Sequence, residues 1–141
     1  MSARFTPAGL AAAIAGLLAR IVHRQPAEAF AWIDAPTLFE RRRAGDRAVV
    51  IDVRGADEFV GDLGHLEGAR NMPLNELPQR IGELAPLEGR EIVLVCKTQM
   101  RSAAAAATLK DAGFRDLAVL RGGMVEWNRQ GLPVSRDPHS A

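Results

Sequence analysis

The stretch CKTQMRS, Cys96 to Ser102, holds the only cysteine of the chain and two cations, Lys97 and Arg101. A lone cysteine is commonly a small core hydrophobe, so an inert thiol at a strand end is one reading. Its surroundings argue for another. Cys96 leaves the carboxyl end of the apolar run EIVLV, and a tract of alanines follows, with a helix expected from Ser102. A loop closing in front of a helix N-terminus turns several backbone N–H groups toward one point. The helix dipole adds roughly half a positive charge there. With Lys97 and Arg101 in the same loop, the thiol should exist largely as thiolate, its reactive form. The same concavity would hold an anion. Cys96 is therefore a candidate nucleophile in an anion-binding cradle.

The elements that must position this loop lie on both sides of it. AVVIDV (Ala48 to Val53), EIVLV (Glu91 to Val95) and LAVL (Leu117 to Leu120) are short apolar runs rich in β-branched residues, as buried strands are. GARNMP adds a short edge strand stopped by Pro73. DAPTLFERRRAG suits a helix with Asp34 as N-cap, Pro36 in the first turn and Gly45 at its end. NELPQRIGELAP reads as a helix of two or three turns, with Pro78 against it. SAAAAATLKDAG is a helix closed by Gly113, and GGMVEWNRQG is a last helix ending at Gly131. Gly122 and Gly123 are expected to form the turn before that helix, and Trp127 to be core. Alternating strands and helices predict an α/β fold, a mostly parallel sheet with helices on both faces. Ligands of such sheets bind outside the carboxyl ends of the strands. That rule selects DVRGADE after the first strand and CKTQMRS after the second.

Composition narrows the class. At 141 residues the chain suits one domain. A net charge of +1 gives no argument for nucleic acid. One cysteine rules out an internal disulfide, and His23, His65 and His139 are far apart, so no metal set is expected. Residues 5–24 stand apart: the segment is apolar from Phe5 to Ala19 and then carries Arg20, His23 and Arg24. It is shorter than the roughly 20 apolar residues that span a bilayer. Leu10, Ile14, Leu17, Leu18 and Ile21 form one stripe at helical spacing. A helix docked on the domain or a partner is the leading expectation. A signal or transit sequence, with AEA at Ala27 to Ala29 as cleavage pattern, and a membrane-surface helix are the alternatives. The expected location is cytoplasmic, or membrane-associated or exported if this segment acts so.

The loop resembles that of the rhodanese-like sulfurtransferases, in which a cysteine opens a six-residue loop closed by arginine. Here the loop is CKTQMR, Cys96 to Arg101. VVIDVRGADEF (Val49 to Phe59), GHLEGARNMPL (Gly64 to Leu74) and LRGGMVEWNRQGLPV (Leu120 to Val134) are similar to further motifs of that family, in order. The resemblance covers roughly Asp34 to Val134 and implies one rhodanese-like domain, expected over residues 31–136; outside it an N-terminal helix and linker are expected over 1–30 and a tail over 137–141. It implies that Cys96 takes sulfane sulfur from a donor such as thiosulfate or a persulfide, becomes a persulfide, and passes the sulfur to a thiol or sulfur-carrier protein, without a cofactor. Lys97, Thr98, Gln99, Met100, Arg101 and Ser102 would form the active-site loop, with Lys97 and Arg101 helping the leaving anion and Met100 at the pocket mouth. Asp52, Arg54, Glu58 and His65 would support its wall.

Four expectations follow for particular residues. Asp52 would cap loop amides, and Arg54 would pair with Glu58 or Asp57. His65 would be structural, since a thiolate needs no base. The family often has glycine where this chain has Gln99. If Gln99 kept a left-handed backbone it would cost on the order of 1 kcal/mol; otherwise the loop closes differently or Gln99 meets the substrate. The run Arg41-Arg42-Arg43 is expected to be a solvated helix face. Two other functions compete. Cysteine phosphatases and arsenate reductases also set a thiolate and an arginine around an oxyanion, but phosphatase loops usually place five residues between them, and here there are four. A binding or regulatory module without catalysis is the other, kept open by residues 1–30.

Overall fold

The computed structural model describes residues 30–138. The expectations for the 5–24 segment, its cleavage and the end of the tail lie outside the described residues. Five strands form one parallel sheet: β1 (Ala31–Ile33), β2 (Val49–Asp52), β3 (Arg70–Asn71), β4 (Ile92–Val95) and β5 (Leu117–Leu120). Their spatial order is β1-β5-β4-β2-β3. β4 and β5 are buried along their whole length, which is why IVLV and LAVL are apolar at every position.

Successive strand residues face opposite sides, so Ile92 and Leu94 enter one core and Val93 and Val95 the other. The first core lies under α4 (Met100–Asp111), which buries Ser102, Ala105, Ala106 and Leu109. Alanines at the contact let the helix lie close on the sheet. The second core lies under α1 (Ala35–Arg43) and α5 (Gly123–Arg129), through Leu38, Met124 and Trp127. β2 is followed by β3 on one side, whereas β4 is followed by β5 on the other. The carboxyl ends of β2 and β4 therefore flank a topological switch point, where this class of sheet opens a crevice.

Several local expectations change. β1 has no counterpart among the expected strands; three residues are too few for a pattern, and they become a strand by pairing Ala31 to Ala118 and Ile33 to Leu120. The segment expected as one helix before β4 is broken. A 3-10 turn (Leu74–Glu76) leads into a single α-turn, α3 (Leu77–Arg80), then a 3-10 stretch (Ile81–Leu87) holding Pro86. Pro78 and Pro86 each remove a backbone donor, so no continuous ladder forms. A short α2 (Ala56–Phe59) follows β2. Asp34 stands at the N-cap of α1 but makes no capping bond, because its carboxylate accepts from Arg121 Nε at 2.8 Å. The arginine run is less solvated than expected: Arg41 pairs with Asp46 and Glu91, and Arg42 donates to the Glu67 carbonyl. Among the described residues no helix is long and apolar enough to cross a membrane.

Candidate active site

Cys96 continues the 92–94–96 alternation of β4, so its side chain enters the core on the α4 side, where it is buried. α4 begins at Met100, two residues before the expected start. Its first turn therefore reaches the sulfur, and the Ser102 N–H donates to Cys96 Sγ at 3.4 Å. The loop itself is gripped from the opposite face. The N–H groups of Met124 and Val125, in the first turn of α5, donate to the Cys96 and Lys97 carbonyls at 2.9 and 3.0 Å. Because a trans peptide sets C=O and N–H in opposite directions, the amides of Lys97 and Thr98 turn toward the α4 side, where the sulfur lies.

Gly123 makes this grip possible. A Cβ there would strike the carbonyl oxygens of Cys96, Lys97 and Thr98, and its φ is +56°. Gly122, at φ +76°, completes the turn and donates its N–H to Gln99 Oε1 at 3.2 Å. Gln99 itself has φ −158°, so the left-handed strain does not arise. The Gln99 side chain latches the loop to the β5–α5 turn. Met100 is exposed at the loop's end.

The β2 end supplies the other wall. Asp52 and Arg54 are buried, and they pair with each other: Arg54 Nη2 to Asp52 Oδ2 at 2.7 Å and Nε to Oδ1 at 2.9 Å. Arg54 Nη2 also donates to the Gly64 carbonyl at 2.6 Å. This corrects the expected pairing of Arg54 with Glu58 or Asp57, whereas Asp52 does cap a loop amide, the Arg54 N–H. Two buried opposite charges two residues apart satisfy each other before any distant partner can. Asn71, which the sequence did not single out, donates to the Asp52 and Arg54 carbonyls at 3.1 and 2.9 Å.

Glu58 is left for Arg101. Its carboxylate accepts two bonds from the guanidinium, at 2.7 and 3.0 Å, and a third from the Gly55 N–H at 3.1 Å. The Arg101 bonds, with help from Gly55 and against some desolvation, hold the Glu58 carboxyl down at about 2. Arg101 is raised in turn, chiefly by Glu58 and to a lesser degree by Cys96 and Asp52. Half of the loop's expected positive charge is thus cancelled by a carboxylate 43 residues away in sequence. Lys97 is exposed, and with Arg54, Glu58, Gly61 and Asp62 it lines a recess beside the loop.

His65 is buried in the wall. It stacks on Phe59 with ring centroids 3.5 Å apart, its Nδ1 is 2.6 Å from the Phe59 carbonyl, and its backbone pairs with Ser135. One polar atom stands out: the buried Ser102 Oγ has no hydrogen-bond partner, one residue from Arg101 and on the residue whose N–H meets the sulfur. The sequence placed Ser102 in the loop but carried no signal that its hydroxyl is left without a partner. Among the described residues no group of His, Cys, Asp and Glu could hold a metal ion.

A parallel α/β sheet with a cysteine loop at its switch point, gripped by backbone from two helices, defines the class of site. The chain belongs to the rhodanese-like domain family, whose profile matches residues 35–130. A protein of Allochromatium vinosum named sulfurtransferase is 30% identical over 102 residues, covering 72% of this chain and 92% of that one. An uncharacterized protein of Synechocystis sp. is 35% identical over 100 residues, covering 71% of this chain. The match spans about half, 54%, of that longer relative. The fold is similar to the crystal structure of a rhodanese-related protein from Thermoplasma volcanium, with a TM-score of 0.67 and 28% identity over 77% of this chain and all of that one.

Proposed function

We propose that this protein is a sulfurtransferase that carries sulfane sulfur on Cys96. The observation that supports this most directly is the bond from the Ser102 N–H to Cys96 Sγ, together with loop amides turned to the same side. Hydrogen bonds to an anionic sulfur favour its charged form, and fixed donors need no reorganisation as charge moves onto a second sulfur. In the first half-reaction the Cys96 thiolate attacks the outer sulfur of thiosulfate. The Sγ–S bond forms, the S–S bond of the donor breaks, and sulfite leaves with the electron pair. In the second, an acceptor nucleophile attacks the outer sulfur and the Cys96 thiolate is regenerated. Cyanide serves in an assay; a thiol or a sulfur-carrier protein would serve in the cell. The unpartnered Ser102 hydroxyl is a donor available to the added sulfur. Four residues between Cys96 and Arg101 make a small cradle, suited to one sulfur atom rather than to a tetrahedral phosphate.

The test is sulfur transfer from thiosulfate to cyanide by wild type and Cys96→Ala, with intact mass after donor treatment. Activity lost in the variant, with one added sulfur on the wild type alone, is the expected result. A folded wild type with a free thiol that accepts no sulfur from any donor would sink the reading and leave a binding module.

A further inference from the structure

The side of the sheet away from Cys96 carries a groove that sulfur transfer does not use. It lies between the last turn of α1, the 66–67 segment and the 133–134 segment, with Trp127 of α5 behind it, and encloses about 210 Å³. Cys96 belongs to the core under α4, whereas Leu66, Trp127 and the partly buried Phe39 and Val134 belong to the core under α1 and α5. No residue of the groove lines the recesses around the cysteine loop. Its volume falls below the roughly 300 Å³ at which pockets for whole small molecules begin. It suits one large side chain.

The groove is apolar inside and cationic at its lip. Phe39 meets Trp127 edge to face, with ring centroids 6.2 Å apart. Trp127 Nε1 donates to the Pro133 carbonyl at 2.9 Å, so the polar edge of the indole is already satisfied. Two backbone bonds between His65 and Ser135, each 2.8 Å, fix the neighbouring Leu66 and Val134. Both walls therefore stand before anything binds, which lowers the ordering cost of binding. Arg42 and Arg43 are in the lining with a single carboxylate, Glu67. Arg42 is half-buried, donates to the Glu67 backbone carbonyl and makes no ion pair among the described residues. Burial pushes its guanidinium below the ordinary arginine value, against weaker opposing pulls from Glu67 and Asp46. Arg43 lies 5.7 Å over the Phe39 ring and 3.7 Å from Glu40, a loose and exposed pair. A partly desolvated guanidinium without a carboxylate partner gains from one that arrives with a ligand.

We propose that this groove docks an acidic segment of a partner protein. One large apolar side chain of that segment seats against Phe39, Trp127 and Val134, and a neighbouring carboxylate pairs with Arg42. The chain's own apolar segment, residues 5–24, is the rival occupant. It matches the groove in hydrophobicity but not in charge, because residues 1–29 hold Arg4, Arg20 and Arg24 against Glu28 alone. A partner held here leaves the mouth of the cysteine loop open.

The test is fluorescence anisotropy of the full chain with a fluorescein-labelled, C-terminally amidated peptide, Gly-Ser-Glu-Phe-Glu-Ser-Gly. Saturable binding is expected. It should weaken about tenfold when the peptide's phenylalanine becomes alanine, and about tenfold or more when its two glutamates become glutamine. In the protein, Arg42→Gln should weaken binding about tenfold and Arg43→Gln about threefold. Arg115→Gln removes an exposed cation away from the groove and should leave binding within about twofold. The peptide series and Arg43→Gln carry the test if Arg42→Gln proves unfolded. Equal losses in Arg42→Gln and Arg115→Gln would reduce the contact to general charge attraction and overturn the groove. Binding seen only in the full-chain variant Ile14→Asp/Leu18→Asp would assign the groove to the chain's own segment and overturn the partner. No binding by either protein would overturn the proposal outright.

Discussion

The carboxyl ends of β2 and β4 lie side by side, and both are followed by charged residues, yet they are built in opposite ways. At β2 the charges are inside: Asp52 and Arg54 are buried and bonded to each other, Arg54 also donates to the Gly64 carbonyl, and Asp52 also accepts from the Arg54 N–H. At β4 the charges are outside, and the loop is held by backbone donors from α5 and by the Gln99 side chain. The difference separates bracing from reactivity. A buried ion pair spends most of its charge on itself. A loop held through its carbonyls keeps its amides free for one. Glu58 joins the two ends, rooted beside β2 and bonded to the arginine that closes the β4 loop.

The sharpest way to break this contrast is to unpair the β2 end. Asp52→Asn leaves the Arg54 guanidinium buried without its counter-charge, which costs about 3–5 kcal/mol. Urea denaturation should show that loss, and Asp52→Asn/Arg54→Met should recover much of it because no charge then stays buried. A single variant as stable as wild type would mean that the pair does not brace the sheet.

Gly123→Ala attacks the grip on the β4 loop. Left-handed backbone and the clash with three carbonyl oxygens together cost roughly 3 kcal/mol. Sulfur transfer should fall by more than the stability loss explains, because the amides move with the carbonyls. Gln99→Ala is a milder version. Losing the Gly122 N–H bond costs about 1 kcal/mol, read as a lower denaturation midpoint with Cys96 still able to take up sulfur.

The smallest effect is the acid dependence of the joining pair. The Glu58 carboxyl lies at about 2 in the folded protein against 4.5 as its ordinary value, so the unfolded chain binds more protons between the two. The stability from this group is fully present above pH 4.5 and is lost as pH falls toward 2. In Glu58→Gln the acid limb of a stability–pH curve should be shallower there. The pair is about a third exposed, so solvent screening keeps the difference modest. Superimposable curves would mean that the Arg101–Glu58 fork adds nothing in solution.

Much of this was legible in the chain. β5 was read to the residue, and β2 and β4 nearly so, because strands covered on both faces must be apolar at every position. The place of Cys96 followed from one rule, that a loop after a parallel strand and before a helix faces the ligand crevice. What escaped were features without a local signature. β1 is three residues that become a strand only beside β5. The broken segment before β4 had helical periodicity but two prolines, and the missing donors prevailed.

The sequence by itself determined the α/β class, the site of the thiol and its neighbours in the loop, since these depend on contiguous residues and on the period of apolar positions. Only the tertiary structure decided which charges are spent. Arg101 could not be known to pair with Glu58 until the switch point brought the ends of β2 and β4 together, because ion-pair choice depends on distance through space. The same holds for Gly123. Its place after a strand suggested a turn, and only the packing of α5 against the loop carbonyls made the missing side chain a condition of the site.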